Sequence, residues 1–327
     1  AYDEVQKSKS KSLPDASEFE LLTGTAAFVF HKKKVDVAVI EIGLGGLLDS
    51  TNATAPTVSV LTGVGIDHTE FLGSSLSSIA RDKSFISRRN TPFIVGPLPE
   101  EAQRAAEESA RITGAQLIAT EQLPPVWENV LKRALIDSSF WMKSNVANLR
   151  VALTALWQFE NATNTCLNKE NIVSALRSTL WPGRFDVRTK AGFSIIFDGA
   201  HNTQGFEFFE KQFLESPYAG SKPTLIFASL ADKPWKDTIL RVLPHTNRVV
   251  VTQVQSERAV PADAIQNHIR AHSSVSCATT NTVADALQIA LQETPRTPIL
   301  VLGSLALIGE AMENLGLDPF EKLRNPS

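Results

Sequence analysis

Short apolar, β-branched runs alternate with longer stretches of helical period along most of this chain, and that alternation constrains the fold more than any other feature. TVSVLTGVG at 57–65, PFIVGPL at 92–98 and AQLIAT at 115–120 are too short for helices and end in turn or polar residues. Helical patterns at 75–87 and 100–113 separate them. Upstream, Phe19, Leu21, Leu22, Ala26, Phe28 and Phe30 recur at helical spacing before a further apolar run, VDVAVIEIG at 35–43. Residues 121–145 read as irregular, followed by helices at 146–160 and 171–178. A second series then begins: FSIIFDGAHN, a helix at 206–214, TLIFASL, a helix at 236–242, RVVVTQV, a helix at 262–272, and PILVLGSL with a last helix from Leu307. Such alternation places strands in parallel sheets covered by helices. Pro182 and Gly183 interrupt the helical pattern. The expected architecture is α/β with two doubly wound domains, residues 1–181 and 182–327.

The bulk properties narrow the function. A hydrophobic fraction of 43% and a charged fraction of 20% are those of a globular protein. A net charge of −3 without a basic stretch argues against nucleic acid as a partner. The densest basic pair, Arg88 and Arg89, reads as a solvated loop. The longest apolar stretch, 298–308, is short of the ~20 residues that span a bilayer, so no membrane partner is expected. Two cysteines, Cys166 and Cys277, are too few for a disulfide framework and point to a reducing compartment, the cytoplasm, with a mitochondrial address left open. The chain is expected to act as a monomer on small molecules. AYDEVQKSKSKS at the start lacks the apolar core of a secretory signal and an initiating Met, as expected of a chain that begins partway into a longer protein.

Chemistry concentrates in two clusters. Glu41 is the only charge between Asp36 and Asp49, in a run that reads as buried, and burying an unpaired carboxylate is costly. A hard cation such as magnesium, which takes oxygen ligands and keeps waters when it also binds phosphates, would resolve that cost. The glycines that follow are equally consistent with a turn. His68 closes the next apolar run, with Asp67 placed to orient its ring or end the strand. Lys83 lies one helix later; it can point to solvent, pair with Asp82 or a phosphate, or be converted by carbon dioxide into a carbamate. Downstream, Arg184 and His201 offer cationic or hydrogen-bonding groups to a phosphate, and Asp198 can accept from a ribose or a base. Asn202 also suits the N-cap of a following helix. The distance in sequence between the clusters predicts a site shared by two domains.

EIGLGGLLDSTN, GIDHTEFLG with ARDK behind it, WPGR, FDGAHN and LGSLALIGE, in that order, resemble the successive signatures of the folylpolyglutamate synthase and dihydrofolate synthase family, within the Mur ligase superfamily. The resemblance spans roughly residues 18–310. It implies an ATP- and magnesium-dependent amide ligase, in which phosphoryl transfer converts a carboxylate into an acyl phosphate that the amine of glutamate attacks. It implies further that Glu41 and His68 bind magnesium, that Lys83 is carbamylated, and that Asn148, Arg184 and Asp198 contact ATP. His201 would lie near the phosphoryl group, and Leu48, Asp49 and Ser50 would line the pterin-side pocket. GLGG-LD-TN and DGAHN resemble dihydrofolate synthase more closely than the dedicated polyglutamylating enzymes.

Three departures qualify that expectation. Leu47 stands where the family's GLGGR has its arginine, and Ser144 and Asn145 replace the His-Gln pair before Asn148. No G-x-x-x-x-G-K-[ST] occurs, and TGTAAF at 23–28 has no second glycine or lysine to replace it. The first domain therefore reads as a truncated P-loop-type ATPase domain, with severely impaired ATP turnover. The alternative is a non-catalytic relative that retains folate, nucleotide or partner binding.

Overall fold

In the computed structural model, residues 16–136, 143–179, 181–294 and 296–320 are described, and the chain divides into two compact units. Unit 1 comprises residues 1–131 and 147–167, and unit 2 residues 132–146 and 168–327.

Unit 1 opens with helix α1 (Glu18–Lys33), whose Ser17 and Glu20 form a reciprocal capping box. Its parallel sheet runs β1 (Ser59–Leu61), β2 (Pro92–Val95), β3 (Gln116–Ala119) in spatial order. Between β1 and β2 lie the short helix α2 (Thr69–Leu72) and α3 (Leu76–Ser84), and between β2 and β3 lies α4 (Glu100–Thr113). Ala102, Ala105, Ala106 and Ala110 bury one face of α4, small enough to let α3 and the sheet approach closely. Ile79, Ala80 and Phe93 complete that core. Residues 121–135, read from sequence as irregular, instead contain helix α5 (Pro125–Leu135), with Trp127, Val130, Leu131 and Ala134 buried. Helix α6 (Val146–Thr163) follows and is tied to α5 by the Arg150–Glu128 ion pair.

The expected strand at 35–43 does not form. Residues 36–42 make no backbone hydrogen bond to another described residue, and Val39 is 96% exposed. An apolar alternating run becomes a strand only when a neighbour pairs with its amides and carbonyls, and β1–β2–β3 supplies none. Glu41 is consequently exposed, so the argument from a costly buried carboxylate does not hold for this structure.

Unit 2 includes helix α7 (Lys169–Ser178) and a sheet of six strands. Two strands, β4 (Asp186–Lys190) and β5 (Phe193–Asp198), form an antiparallel hairpin. Then come α8 (Thr203–Glu215), β6 (Thr224–Phe227), α9 (Trp235–Val242), β7 (Arg248–Val251), α10 (Ala262–His272), β8 (Ser276–Thr279), α11 (Val283–Leu291), β9 (Ile299–Leu302) and α12 (Leu305–Asn314). The spatial order is β4-β5-β9-β6-β7-β8, parallel throughout except at β4. Phe206, Phe209 and Phe213 of α8 join residues of α9 and α10 in the core on one face, while α11 and α12 bury theirs on the other. Each fully buried Phe of α8 contributes about 1.5–3 kcal/mol, enough to fix the helix and the loop that enters it.

Candidate functional site

The carboxyl edge of the unit 2 sheet is built by register. Asp198 of β5 and Phe227 of β6 both lie level with Leu302 of β9, so the loops that leave the three strands emerge side by side. β5 runs on into α8 on one face and β9 into α12 on the other. Where consecutive loops diverge in this way an open α/β sheet leaves a crevice, and ligands bind there.

Asp198 is 5% exposed at that edge. One carboxylate oxygen accepts from the Phe185 amide at 2.8 Å and the other from the Ala200 amide at 2.9 Å. Burial pushes its pKa up to about 6, against the lowering effect of those two hydrogen bonds and of the Arg184 guanidinium. Phe185 holds a positive φ of 46°, and the Gly199 amide donates to the Gly183 carbonyl at 2.8 Å, so the PGR turn and the DGAH turn are stitched together. A Cβ on Gly199 would lie 2.3 Å from Leu305 Cδ2 and 3.4 Å from an Arg184 nitrogen, so both side chains lie close against this turn. Arg184 itself makes no ion pair among the described residues and leaves its fork of donors uncommitted. His201 donates from Nδ1 to the Gly199 carbonyl at 2.8 Å, which leaves Nε2 as the nitrogen available to a ligand. Asn202 caps α8 by accepting from the Gly205 amide at 2.8 Å, so the capping role anticipated for it is present.

Other groups at this edge were not singled out from sequence. Ser304, buried, caps α12 by accepting from the Ala306 amide at 3.2 Å. After β6, Asp232 lies 3.9 Å from Lys233 Nζ and 3.6 Å from Arg258 Nη1, and the Ala231 amide donates to the Arg258 carbonyl. For Asp232 and Lys233 an ordinary-looking ADK tripeptide after a strand was the only signal, whereas Ser304 lies within LGSLALIGE.

In unit 1 three motifs meet. A Cβ on Gly45, whose φ is 69°, would lie 2.5 Å from an Asp82 carboxylate oxygen and 2.9 Å from Leu72 Cδ2; one on Gly46 would lie 2.6 Å from the Asp82 carbonyl and 2.8 Å from Lys83 Cα. The loop after Glu41, the helix after His68 and the end of α3 that bears Lys83 therefore pack together only because these two residues are glycine. His68 adopts φ 53° and caps α2 without a side-chain bond, and its amide donates to Asp67 Oδ1 at 2.9 Å. Lys83 makes no ion pair with Asp82 or another described residue.

Asp49 spends both oxygens on the same loop, accepting from the Gly43 and Leu44 amides at 3.0 and 2.8 Å and from Thr51 N and Oγ1 at 2.9 and 2.5 Å. Burial pushes its pKa up, but the bonds from Thr51, Leu44 and Gly43 outweigh burial and hold it below the usual aspartate value. Its observed work is to shape the loop. Ser50 pairs with Thr23 Oγ1 at 2.8 Å, whereas Leu48 is 93% exposed. Asn148 lies in the first turn of α6 with an exposed side chain. Arg88 corrects the sequence reading: it is no solvated loop residue, but donates to the Asn52 carbonyl and Oδ1 at 2.5 and 2.7 Å and to the Phe85 and Ser87 carbonyls, fastening 50–53 to the end of α3. No group of three or more His, Cys, Asp or Glu side chains is gathered for a metal among the described residues. A magnesium ion held by one or two protein ligands and by phosphates needs no such group.

A family model described as Mur ligase, glutamate ligase domain, matches residues 183–305. A probable dihydrofolate synthetase of Schizosaccharomyces pombe is 30% identical, over 93% of this chain and 76% of its own length. The folylpolyglutamate synthase of Lacticaseibacillus casei is 28% identical, over 92% and 72%. Among solved structures, a bifunctional folylpolyglutamate synthase/dihydrofolate synthase of Yersinia pestis complexed with AMPPNP and Mn superposes with a TM-score of 0.78 at 23% identity, over 97% of this chain and 75% of that one. E. coli FolC in complex with DHPP and ADP gives 0.74 at 24%, over 91% and 70%. No described helix is long and apolar enough to cross a membrane.

Proposed function

Because the chain belongs to the folylpolyglutamate synthase/dihydrofolate synthase family, whose members are ATP-dependent glutamate ligases, we propose that it joins L-glutamate to a pteroate or folate carboxylate, with dihydropteroate as the favoured acceptor. The observation that carries this reading is the switch-point edge of unit 2, where the uncommitted Arg184 guanidinium stands beside buried Asp198 and next to an imidazole fixed by its own backbone. Relatives of this fold bind ADP or AMPPNP with manganese, which supports ATP and magnesium as the cofactors here.

ATP bound with magnesium would supply the phosphoryl group that makes the acceptor carboxylate an electrophile; the glutamate amine then forms the amide bond and phosphate departs. The chain's own residues hold and orient. Arg184 presents a planar pair of donors to a phosphate or carboxylate oxygen. Asp198, which keeps a lone pair on each oxygen after its two backbone bonds, accepts from a ribose hydroxyl or a base. His201 Nε2 faces the reacting groups as a donor or acceptor, with its ring held by Gly199. Lys233 and Arg258, which share the Asp232 carboxylate, leave one net positive charge after β6, suited to an acidic amino acid. In unit 1, Glu41 and His68 are the proposed magnesium ligands, Lys83 the proposed carbamate, and Asn148 a further ATP contact, while Leu48 and Ser50 border the acceptor pocket that Asp49 shapes. The reaction is assigned to the cytoplasm.

Incubation with ATP, magnesium, glutamate and either dihydropteroate or tetrahydrofolate, with the product mass as readout, tests the acceptor. Slow addition of glutamate, preferentially to dihydropteroate, is expected of a sequence without the G-x-x-x-x-G-K-[ST] loop; addition to tetrahydrofolate alone would make the chain a polyglutamylating enzyme. One observation favours a second reading, a non-catalytic relative that retains ligand binding: Glu41 sits on an exposed, unpaired segment and is not held at the end of a strand.

A further inference from the structure

We propose that His268, half-buried against α9, and the exposed His272 of α10 form a two-imidazole site for a borderline divalent cation of the nickel, copper and zinc class. The site is separate from the ligase residues and does not depend on that reading. The two histidines are one helical turn apart, which stacks their side chains on one face, and their ring centres are 4.4 Å apart. Each ring is oriented through one nitrogen by a backbone carbonyl. His268 donates from Nε2 to the Lys236 carbonyl at 3.0 Å, and His272 donates from Nδ1 to the His268 carbonyl at 2.9 Å.

Those two bonds fix the tautomers. They leave a lone pair on Nδ1 of His268 and another on Nε2 of His272, because a neutral imidazole that donates from one nitrogen accepts at the other. A metal-bound histidine almost always gives its second N–H to a carbonyl, a carboxylate or water, and both rings already have that support. Imidazole donors suit nickel, copper and zinc, whereas magnesium and calcium prefer oxygen. With no third His, Cys, Asp or Glu gathered among the described residues, water must complete the coordination, and the site is an open one. Lys236, 5.8 Å above the Trp235 ring, and Arg270 add positive charge nearby and set a ceiling on affinity. Basic residues in the last turn of a helix also complement its dipole, and that is the competing explanation for His272.

Trp235 provides a built-in reporter, since its ring meets the edge of His268 at 5.4 Å between centres. The test is calorimetric titration of the chelator-treated, desalted full chain with nickel chloride alone, followed in parallel by tryptophan emission. One nickel per chain is expected, with quenching that is reduced in Trp235→Phe. Affinity should fall at least about tenfold in His268→Gln and in His272→Gln and stay unchanged in His245→Gln, whose ring lies against Glu210. Circular dichroism checks that α10 persists in the variants. As a second measurement on the unaltered protein, substoichiometric nickel should broaden the ring-proton signals of His268 and His272 before those of the other histidines. Wild-type-like nickel binding by both glutamine variants, failure of the wild type to take up nickel, or broadening that spares this pair would each overturn the proposal.

Discussion

Replacing Asp198 by asparagine should remove a pH dependence of stability that the unaltered chain carries across the weakly acidic range. Burial raises the folded-state pKa from 3.8 to about 6, so the native state holds the proton more tightly than the unfolded chain does. The stabilising contribution is therefore complete below the unfolded value and is lost as pH rises through the folded one. At 1.36 kcal/mol per pKa unit the window is worth on the order of 3 kcal/mol. Asparagine also carries a pH-independent cost of about 1–3 kcal/mol, because its amide cannot accept from both the Phe185 and Ala200 N–H groups. Only the change with pH isolates the titration. Unfolding in urea, read by pulsed hydrogen exchange of strand β5 in both proteins at intervals between pH 4 and pH 7, measures it in unit 2 alone. The stability difference, unaltered chain minus variant, should shrink by about 2–2.5 kcal/mol across that interval, most of the window. A difference that stays flat with pH would refute the assignment of a raised pKa to Asp198. Arg184→Ala should move the midpoint of the same curve upward, because it removes a cation that favours the carboxylate.

Gly46→Ala should destabilise unit 1 by about 1–3 kcal/mol in urea unfolding, since the new methyl would meet backbone of Asp82 and Lys83 at 2.6–2.8 Å. Asp49→Ala should cost about 1–2 kcal/mol in the same assay, from the lost cap; because hydrogen bonds depress the Asp49 pKa, its contribution is present above the ordinary aspartate value and disappears as pH falls through the folded one. Arg88→Ala should raise the exchange rate of amides at 50–54 and cost about 1.5–3 kcal/mol, the scale of hydrogen bonds from a charged donor. In a form of the enzyme that also carries a P-loop, Lys83→Ala should abolish ligation while leaving the melting temperature nearly unchanged, and near-normal turnover would remove the carbamate proposal.

Much of the fold was legible because burial writes itself into the period of the sequence. The helices 100–113 and 262–272 have the bounds that their patterning predicts, and FSIIFD, TLIF, RVVV and ILVL are all buried strands. What escaped is what depends on neighbours. VAVIEIG has every local property of a strand yet stays exposed, since a strand exists only as a pair. DVRTK and SCAT lie at the two edges of the sheet, where one side faces solvent and no continuous apolar run is required. The site was legible as residue types but not as roles. In sequence Asp49 is a lone acid and Arg88 half of a basic pair; only the fold reveals that the Gly43, Leu44 and Thr51 amides with the Thr51 hydroxyl hold the first, and the carbonyls of Asn52, Phe85 and Ser87 with Asn52 Oδ1 hold the second.

Titration of this chain with a non-hydrolysable ATP analogue, in the presence and absence of magnesium, tests most directly whether the unit 2 edge is a nucleotide site. Magnesium-dependent binding in the micromolar range is expected, weakening by at least about tenfold in Arg184→Ala through the loss of a charge-assisted contact of about 1.5–3 kcal/mol. No detectable heat with the unaltered protein, or equal affinity in the variant, would contradict it.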